Sequence, residues 1–365
     1  MTLHFHWYLP TNGDGREVIG ALEPREASGR ASEFRPASLD YLTLVAKTAE
    51  QLGFEAVLTP TGSWCPDAWI TTAALIRETR NLKFLVAFRP GLITPTLAAQ
   101  QAAAFQQLSG GRLLLNIVTG GDAEEQRRFG DFHSKEERYE RTGEFLDIVR
   151  GAWGSAPYDF SGKYYTVEGA AAFPTPSPAP GIFFGGASEP ALDVAAKHVD
   201  TYLTWTEPPA KVGALIDDVR RRAAAHGRTL SFGIRAHVIA RDTTEEAWAE
   251  ADKLVGRISP AQIELARARL AQSESEGQRR QLGLSADLRN LEVYPGLWAG
   301  FGLVRGGAGT ALVGSHEEVA SLIQEYAAVG VEHFVLSGQP HIEEAYWFAE
   351  GVRPILSRRG LRHVA

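Results

Sequence analysis

An α/β chain closed as a (β/α)8 TIM barrel is the fold this sequence predicts, and three observations carry that prediction. Short β-rich runs alternate with longer amphipathic segments almost from end to end. Most runs are continuously apolar, as strands covered on both faces are. Roughly eight strand–helix units can be counted, the number that closes such a barrel. Of 365 residues, 44% are hydrophobic and 22% charged, enough to bury a large core. Barrels run to this length as one unit, so a single domain over 1–365 is expected.

Leu3–Leu9 reads as the first strand. A helix over Leu39–Gly53 follows, with Ser38 as its N-cap and Gly53 at its stop. Ala56–Leu58, Leu82–Ala87 and Leu113–Val118 read as strands, separated by helices near Asp67–Glu78 and Thr96–Leu108. The capping box Ser134-Lys-Glu-Glu137 leads into a helix over Tyr139–Trp153. Strands are expected at Gly181–Phe184, Thr201–Thr204 and Phe232–Ile239, with helices at Pro209–His226 and Glu245–Ile258 after the last two. A second capping box, Ser315-His-Glu-Glu318, opens a helix over Glu317–Gly330. Strand His333–Leu336 and a helix near Glu343–Ser357 close the chain. Two insertions break the pattern: a small hairpin over about 158–173, turning at Ser161-Gly162, and a long excursion over about 259–309, expected to be partly mobile and to end in a glycine-rich lid loop.

A net charge of −7 argues against nucleic-acid or anionic-membrane partners. The single cysteine, Cys65, rules out an internal disulfide and fits a reducing compartment. The N-terminal stretch has no basic-then-apolar leader and no apolar run reaches membrane-spanning length, so a cytoplasmic location is expected.

Barrel active sites form at the C-terminal ends of the strands. The loops there are rich in glycine, hydroxyl and aromatic groups and poor in paired carboxylates, an inventory that suits a flat cofactor and an anion. Arg235 and His237 share one face of a strand, and a buried arginine wants an anion beside it. Gly300–Gly314 places Arg305 in a loop almost devoid of side chains, either a mobile lid or a flexible surface loop. Neither a Walker loop nor a dinucleotide turn fits there, since no Lys-Ser/Thr follows the glycines and the third glycine is missing. Gly185-Gly186-Ala187-Ser188 runs from a strand into a helix, a junction suited to a phosphate. His4-x-His6 falls too early in its strand for the metal pair of barrel hydrolases, so no metal is expected.

These residues resemble the bacterial luciferase-like flavin monooxygenases, above all the alkanesulfonate and sulfoquinovose monooxygenase group. The likeness lies in Trp7-Tyr-Leu-Pro-Thr11 with Gly13-Asp-Gly15, Tyr202-Leu-Thr-Trp-Thr-Glu-Pro-Pro209, Gly233-Ile-Arg-Ala-His-Val238 and Leu303–Gly314. It runs from about Trp7 to Tyr346. The resemblance implies a two-component enzyme: FMN, supplied as FMNH2 by a separate NAD(P)H-dependent reductase, reacts with O2, and the flavin peroxide attacks a sulfonate to release sulfite and an aldehyde. A homo-oligomer, dimer or tetramer, is implied as well. Arg235, His237 and Arg305 would bind the sulfonate, Trp205 would wall the pocket, Cys65 would lie near the flavin peroxide, and Asn12, Gln339 and His341 would line the substrate site. Asn116 and Thr119 would contact the flavin ring; Lys135, Tyr139, Ser188 and the Gly185–Ala187 backbone would hold its phosphate.

Three positions depart from the group's pattern. Asn12 and Gln339 stand where it has a histidine and a tyrosine, and Lys135 where it has a phosphate-side histidine, with His133 close by. Asn and Gln offer both donors and acceptors, which suits a hydroxylated sulfonate such as sulfoquinovose better than a plain alkanesulfonate. A deazaflavin-dependent dehydrogenase on the same barrel is the alternative.

Overall fold

The computed structural model describes residues 2–16, 18, 34–256 and 258–364. The chain opens with β1 (Thr2–Tyr8), the short strands β2 (Asp14–Gly15) and β3 (Phe34–Arg35), and α1 (Leu39–Gln51). Then come β4 (Ala56–Thr59), α2 (Ala68–Leu75), β5 (Lys83–Phe88), α3 (Pro95–Ser109), β6 (Leu113–Ile117), α4 (Ala123–Arg128) and α5 (Lys135–Ala152). The hairpin β7 (Tyr158–Ser161) and β8 (Thr166–Ala170) precedes β9 (Gly181–Gly185), α6 (Glu189–His198), β10 (Thr201–Trp205), α7 (Pro209–Ala225) and β11 (Ser231–Arg241). Helices α8 (Thr244–Val255), α9 (Pro260–Leu270) and α10 (Glu276–Leu284) lead to β12 (Glu292–Tyr294), β13 (Leu297–Trp298) and β14 (Ala311–Ser315). The chain ends with α11 (His316–Ala328), β15 (His333–Ser337), α12 (His341–Tyr346), α13 (Arg353–Arg358) and β16 (Arg362–His363).

Parallel pairing in the order β1-β4-β5-β6-β9-β10-β11-β15, closed from β15 back to β1, forms the eight-stranded barrel that the sequence predicts. Alternation along each strand sends Phe5, Trp7, Val57, Phe84, Val86 and Ile234 outward into the main core beneath the helices. The opposite set, Tyr8, Ala56, Leu58, Leu85, Phe183, Leu203 and Val335, fills the lumen. Gly233 is required inside: a β-carbon there would come within 2.5 Å of Leu203 and 2.8 Å of His333.

Four elements differ from expectation. Ala311–Ser315, which the sequence left inside the glycine-rich block, is a strand that pairs in parallel with the upper half of β11, from His237 to Arg241. The 259–309 excursion folds as two helices and a short antiparallel pair rather than an unstructured loop. The closing helix begins at His341, two residues early, and passes through a π-helical segment, Trp347–Val352, before α13. The 158–173 hairpin is present, but its turn spans 162–165 rather than Ser161-Gly162.

The barrel floor carries a histidine stack. His4 and His6 both lie against His333, with ring centroids 4.3 and 5.3 Å away, and His6 Nε2 is 3.0 Å from His333 Nδ1. The His4-x-His6 pair thus sits at the end of the barrel opposite the mouth. Burial pushes His6 down to about 4 and His333 well below its ordinary value, so both are neutral in the folded protein at pH 7. Unfolded histidines take up protons near pH 6.5, so stability is full above that pH and falls as the pH drops toward 4. The His6 contribution is roughly 3 kcal/mol across that window. Thermal unfolding at pH 7 and pH 5 will show a drop in midpoint that narrows in His6→Gln; an equal drop in both proteins rejects the assignment.

Candidate active site at the barrel mouth

Alternation places Arg235 on the lumen side of β11, where it is buried. Its guanidinium lies 4.8 Å from the Tyr8 ring centroid, and Nη1 donates to the carbonyls of Ala236 at 2.6 Å and Val335 at 3.4 Å. Arg305 approaches from the glycine-rich loop. Burial lowers both guanidinium pKa values, Arg235 to about 10, and each feels Tyr8; Arg305 lowers Arg235 further. Both remain cationic at neutral pH. Among the described residues neither forms an ion pair with a carboxylate. Asp14 acts on Arg305 through its charge but forms no ion pair with it, so two such cations in a low-dielectric mouth suit an anion.

His237 is buried on the same face, but both of its ring nitrogens are engaged. Nε2 lies 3.2 Å from the Ala308 carbonyl and must donate to it; Nδ1 is then the acceptor for the Ser337 hydroxyl at 2.7 Å. Burial, with Arg305 and Arg235 close by, drives its pKa well below the usual value. The ring stacks on Phe301 at 3.9 Å. His237 therefore fastens the Arg305 loop rather than offering a free donor to an anion. Sequence reasoning saw the shared face and could not see the carbonyl.

Two buried glutamines of α10 complete that fastening. Gln278 Oε1 accepts from the Gly307 amide at 2.9 Å, and Gln281 bridges the Gly309 amide at 3.0 Å to the Thr206 carbonyl at 3.0 Å. Trp205, half-buried at the top of β10, lies beneath the loop. A β-carbon on Gly277 would meet its ring at 3.0 Å and one on Gly307 at 3.8 Å. The loop is thus tied down in this structure.

Cys65 is half-buried, its Sγ 3.7 Å from the carbonyls of Pro60 and Gly62. Burial, reinforced by Glu125, pushes the thiol up to about 11, so it is protonated at neutral pH and is no nucleophile. Asn12 is half-buried and Gln339 buried, both in loops at the mouth. His341, the first residue of α12, stacks on Tyr8 with ring centroids 5.6 Å apart.

A second set of groups gathers after β6 and β9. Asn116 faces the lumen, and Thr119 is buried two residues beyond the strand. Ser188 caps α6 without a side-chain hydrogen bond, and its Oγ is buried and unpartnered. A β-carbon on Gly186 would fall 3.4 Å from the Tyr139 hydroxyl, so that hydroxyl stands beside the same backbone. Orphan amides at a helix start, an unused hydroxyl and a tyrosine form a phosphate cradle. Lys135 Nζ donates one hydrogen to the Glu274 carbonyl at 2.8 Å, tying α5 to the excursion. His133 is bound to Asp131 at 2.9 Å. Five participants escaped sequence reasoning: Tyr8, Asp14, Gln278, Gln281 and Ser337. Tyr8 and Ser337 were marked only by strand alternation, and Asp14 only by its place in Gly13-Asp-Gly15.

A closed parallel barrel, two arginines at its mouth with no ion-pair partner among the described residues, and a helix start beside Ser188 and Tyr139 define the candidate site. The luciferase-like monooxygenase family's sequence profile matches residues 4–333, and the chain belongs to that family. It is similar in fold to riboflavin lyase RcaE, solved with modified FMN and riboflavin, at 21% identity and TM-score 0.82 over 100% of this chain and 93% of that one. The long-chain alkane monooxygenase LadA is similar at 21% identity and TM-score 0.76, covering 100% and 93% of the two chains. The EDTA monooxygenase EmoA of Chelativorans sp. BNC1 is similar at 19% identity and TM-score 0.75, covering 99% and 95%.

Proposed function

We propose that this chain is the oxygenase of a two-component system that takes FMNH2 from a separate NAD(P)H-dependent reductase, uses O2, and cleaves the carbon–sulfur bond of a sulfonate to give an aldehyde and sulfite. The observation that carries this reading is the pair Arg235 and Arg305 in the mouth, neither in an ion pair with a carboxylate among the described residues. A sulfonate is anionic at every physiological pH, and guanidinium groups suit its oxygens. The structures it resembles include a monooxygenase named for the polyanion EDTA, which supports an anionic substrate on this fold.

The residues present fit FMN. Ser188, Tyr139 and the Gly185–Ala187 backbone would hold its phosphate, and Asn116 and Thr119 would face its ring. Bound and reduced, the flavin would supply activated oxygen. Arg235 would fix the sulfonate from below and Arg305 from above, with Trp205 as the side wall. The fastened loop would keep water from the reacting centre. Lys135 gives one of its three ammonium hydrogens to the Glu274 carbonyl and would keep two for the phosphate.

Within that class the reading favours a hydroxylated sulfonate of the sulfoquinovose type. Asn12 is half-buried at the mouth and makes no hydrogen bond within the described residues, so its amide is free for a substrate hydroxyl. The test supplies FMN, a flavin reductase, NAD(P)H and air, and measures sulfite from sulfoquinovose and from octanesulfonate. Sulfite with the sugar as the faster substrate is expected. Turnover of octanesulfonate alone rejects the hydroxylated class, release of sulfite without air rejects the oxygenase, and no sulfite from any sulfonate rejects the whole reading.

A further inference from the structure

His341 is the histidine of the mouth that keeps a ring nitrogen free. Its Nδ1 lies 2.9 Å from Asp14 Oδ1, and its own backbone amide donates to Asp14 Oδ2 at 2.8 Å. Asp14 also accepts from the Tyr41 hydroxyl at 2.5 Å and the Gly15 amide at 2.8 Å. Burial alone would raise the Asp14 carboxyl, but the charge and hydrogen bonds of His341, with help from Tyr41, outweigh it and hold it at about 2. Asp14 is therefore ionised and can only accept, so the shared hydrogen sits on His341 Nδ1. In the neutral ring the lone pair is then on Nε2. That atom is buried and unpartnered. The ring stacks on Tyr8, whose own ring lies 4.8 Å from the Arg235 guanidinium, so the atom sits among the groups of the mouth.

We propose that Asp14 is a positioning residue that fixes the tautomer of His341, and that His341 Nε2 is the base for carbon–sulfur cleavage. The proposal rests on the sulfonate reading above. Adding one oxygen atom to the carbon that bears the sulfonate gives an α-hydroxysulfonate. His341 Nε2 takes the hydroxyl proton. The O–H electron pair becomes the second carbon–oxygen bond as the carbon–sulfur bond breaks, and the carbon–sulfur pair leaves on sulfur as sulfite. The new imidazolium is stabilised by ionised Asp14, and the added negative charge on sulfite faces Arg235 and Arg305. His237 cannot do this work, since both of its nitrogens are spent. Cys65 cannot either, because its thiol is held protonated well above neutral pH.

Two measurements test the proposal, and neither needs reduced flavin. Nitrogen-15 NMR of the histidine rings, with His341→Gln used for assignment, is expected to show Nδ1 protonated and Nε2 bare in the wild type. In Asp14→Asn the carboxamide can donate to Nδ1, and the tautomer should invert. The second measurement follows sulfite release from a preformed aldehyde–bisulfite adduct, which is an α-hydroxysulfonate, without FMNH2 or air. The wild type should accelerate it. Asp14→Asn and His341→Gln should each lower kcat by roughly 10²–10⁴-fold with little change in KM. An Nε2-protonated ring in the wild type, or adduct cleavage unaffected by both substitutions, overturns the proposal. A correct tautomer with adduct cleavage, in a protein that releases no sulfite from any sulfonate in air, rejects the oxygenase reading and leaves the dyad standing. Should Asp14→Asn fail to fold, Tyr41→Phe keeps the carboxylate and removes one donor; it should weaken the Nδ1 signature without inverting it.

Discussion

Replacing Arg305 by alanine should abolish most turnover while leaving FMN binding and folding nearly intact. Its guanidinium makes no hydrogen bond among the described residues, and only its longer-range attraction to Tyr8 and Asp14 is lost from the apo protein. The cofactor cradle at Ser188 and Tyr139 stands on β9, α6 and α5, on elements that the loop does not build. With substrate present, one of two charged donors to the anion is gone. That costs roughly 10²–10³-fold in kcat/KM. Titrating FMN by fluorescence quenching and measuring sulfite in parallel separates the two effects. Wild-type turnover in Arg305→Ala would remove this loop from the substrate site, and lost FMN binding would move it to the cofactor.

Arg235→Met should do something less usual: raise the unfolding temperature while eliminating activity. Arg235 is buried, its pKa depressed first by burial and further by Arg305, and Tyr8 with two backbone carbonyls offers only partial compensation. A methionine of similar length fills the space without a charge to desolvate and without repelling Arg305. Exchanges of buried charge for hydrophobe commonly stabilise, here by roughly 1–2 kcal/mol. The free enzyme thus carries a strain that substrate relieves. Calorimetry with a parallel sulfite assay checks both halves. A fall in the melting temperature of Arg235→Met would mean that an internal acceptor already satisfies the arginine.

The barrel was legible because strand parity and helix capping are local. Ser38, Ser134 and Ser315 all cap where the sequence places them, since a serine that accepts from the backbone amide three residues on is read within one turn. The Arg235 and His237 face was legible for the same reason. What His237 does was not, because its partners Ala308 and Ser337 lie 71 and 100 residues away. Strand Ala311–Ser315 was hidden by the glycines before it; its pairing is supplied by β11, whose upper half leaves the barrel to meet it. Asp14 was in plain sight between two glycines, but its value depends on a histidine 327 residues downstream. Lys135 matched a pattern position and also ties α5 to the excursion, which only the contact with Glu274 reveals.

The two glutamines that hold the Arg305 loop are uncharged. Gln278 and Gln281 grip the Gly307 and Gly309 amides through groups that neither titrate nor attract counterions. The arginines beneath draw an anion by a field that dissolved ions weaken. On the sulfonate reading, raising salt would slow the capture of substrate, while the ties that hold the loop down would keep their strength. Catching the anion would then answer to the ions around the protein, and closing the loop over it would not.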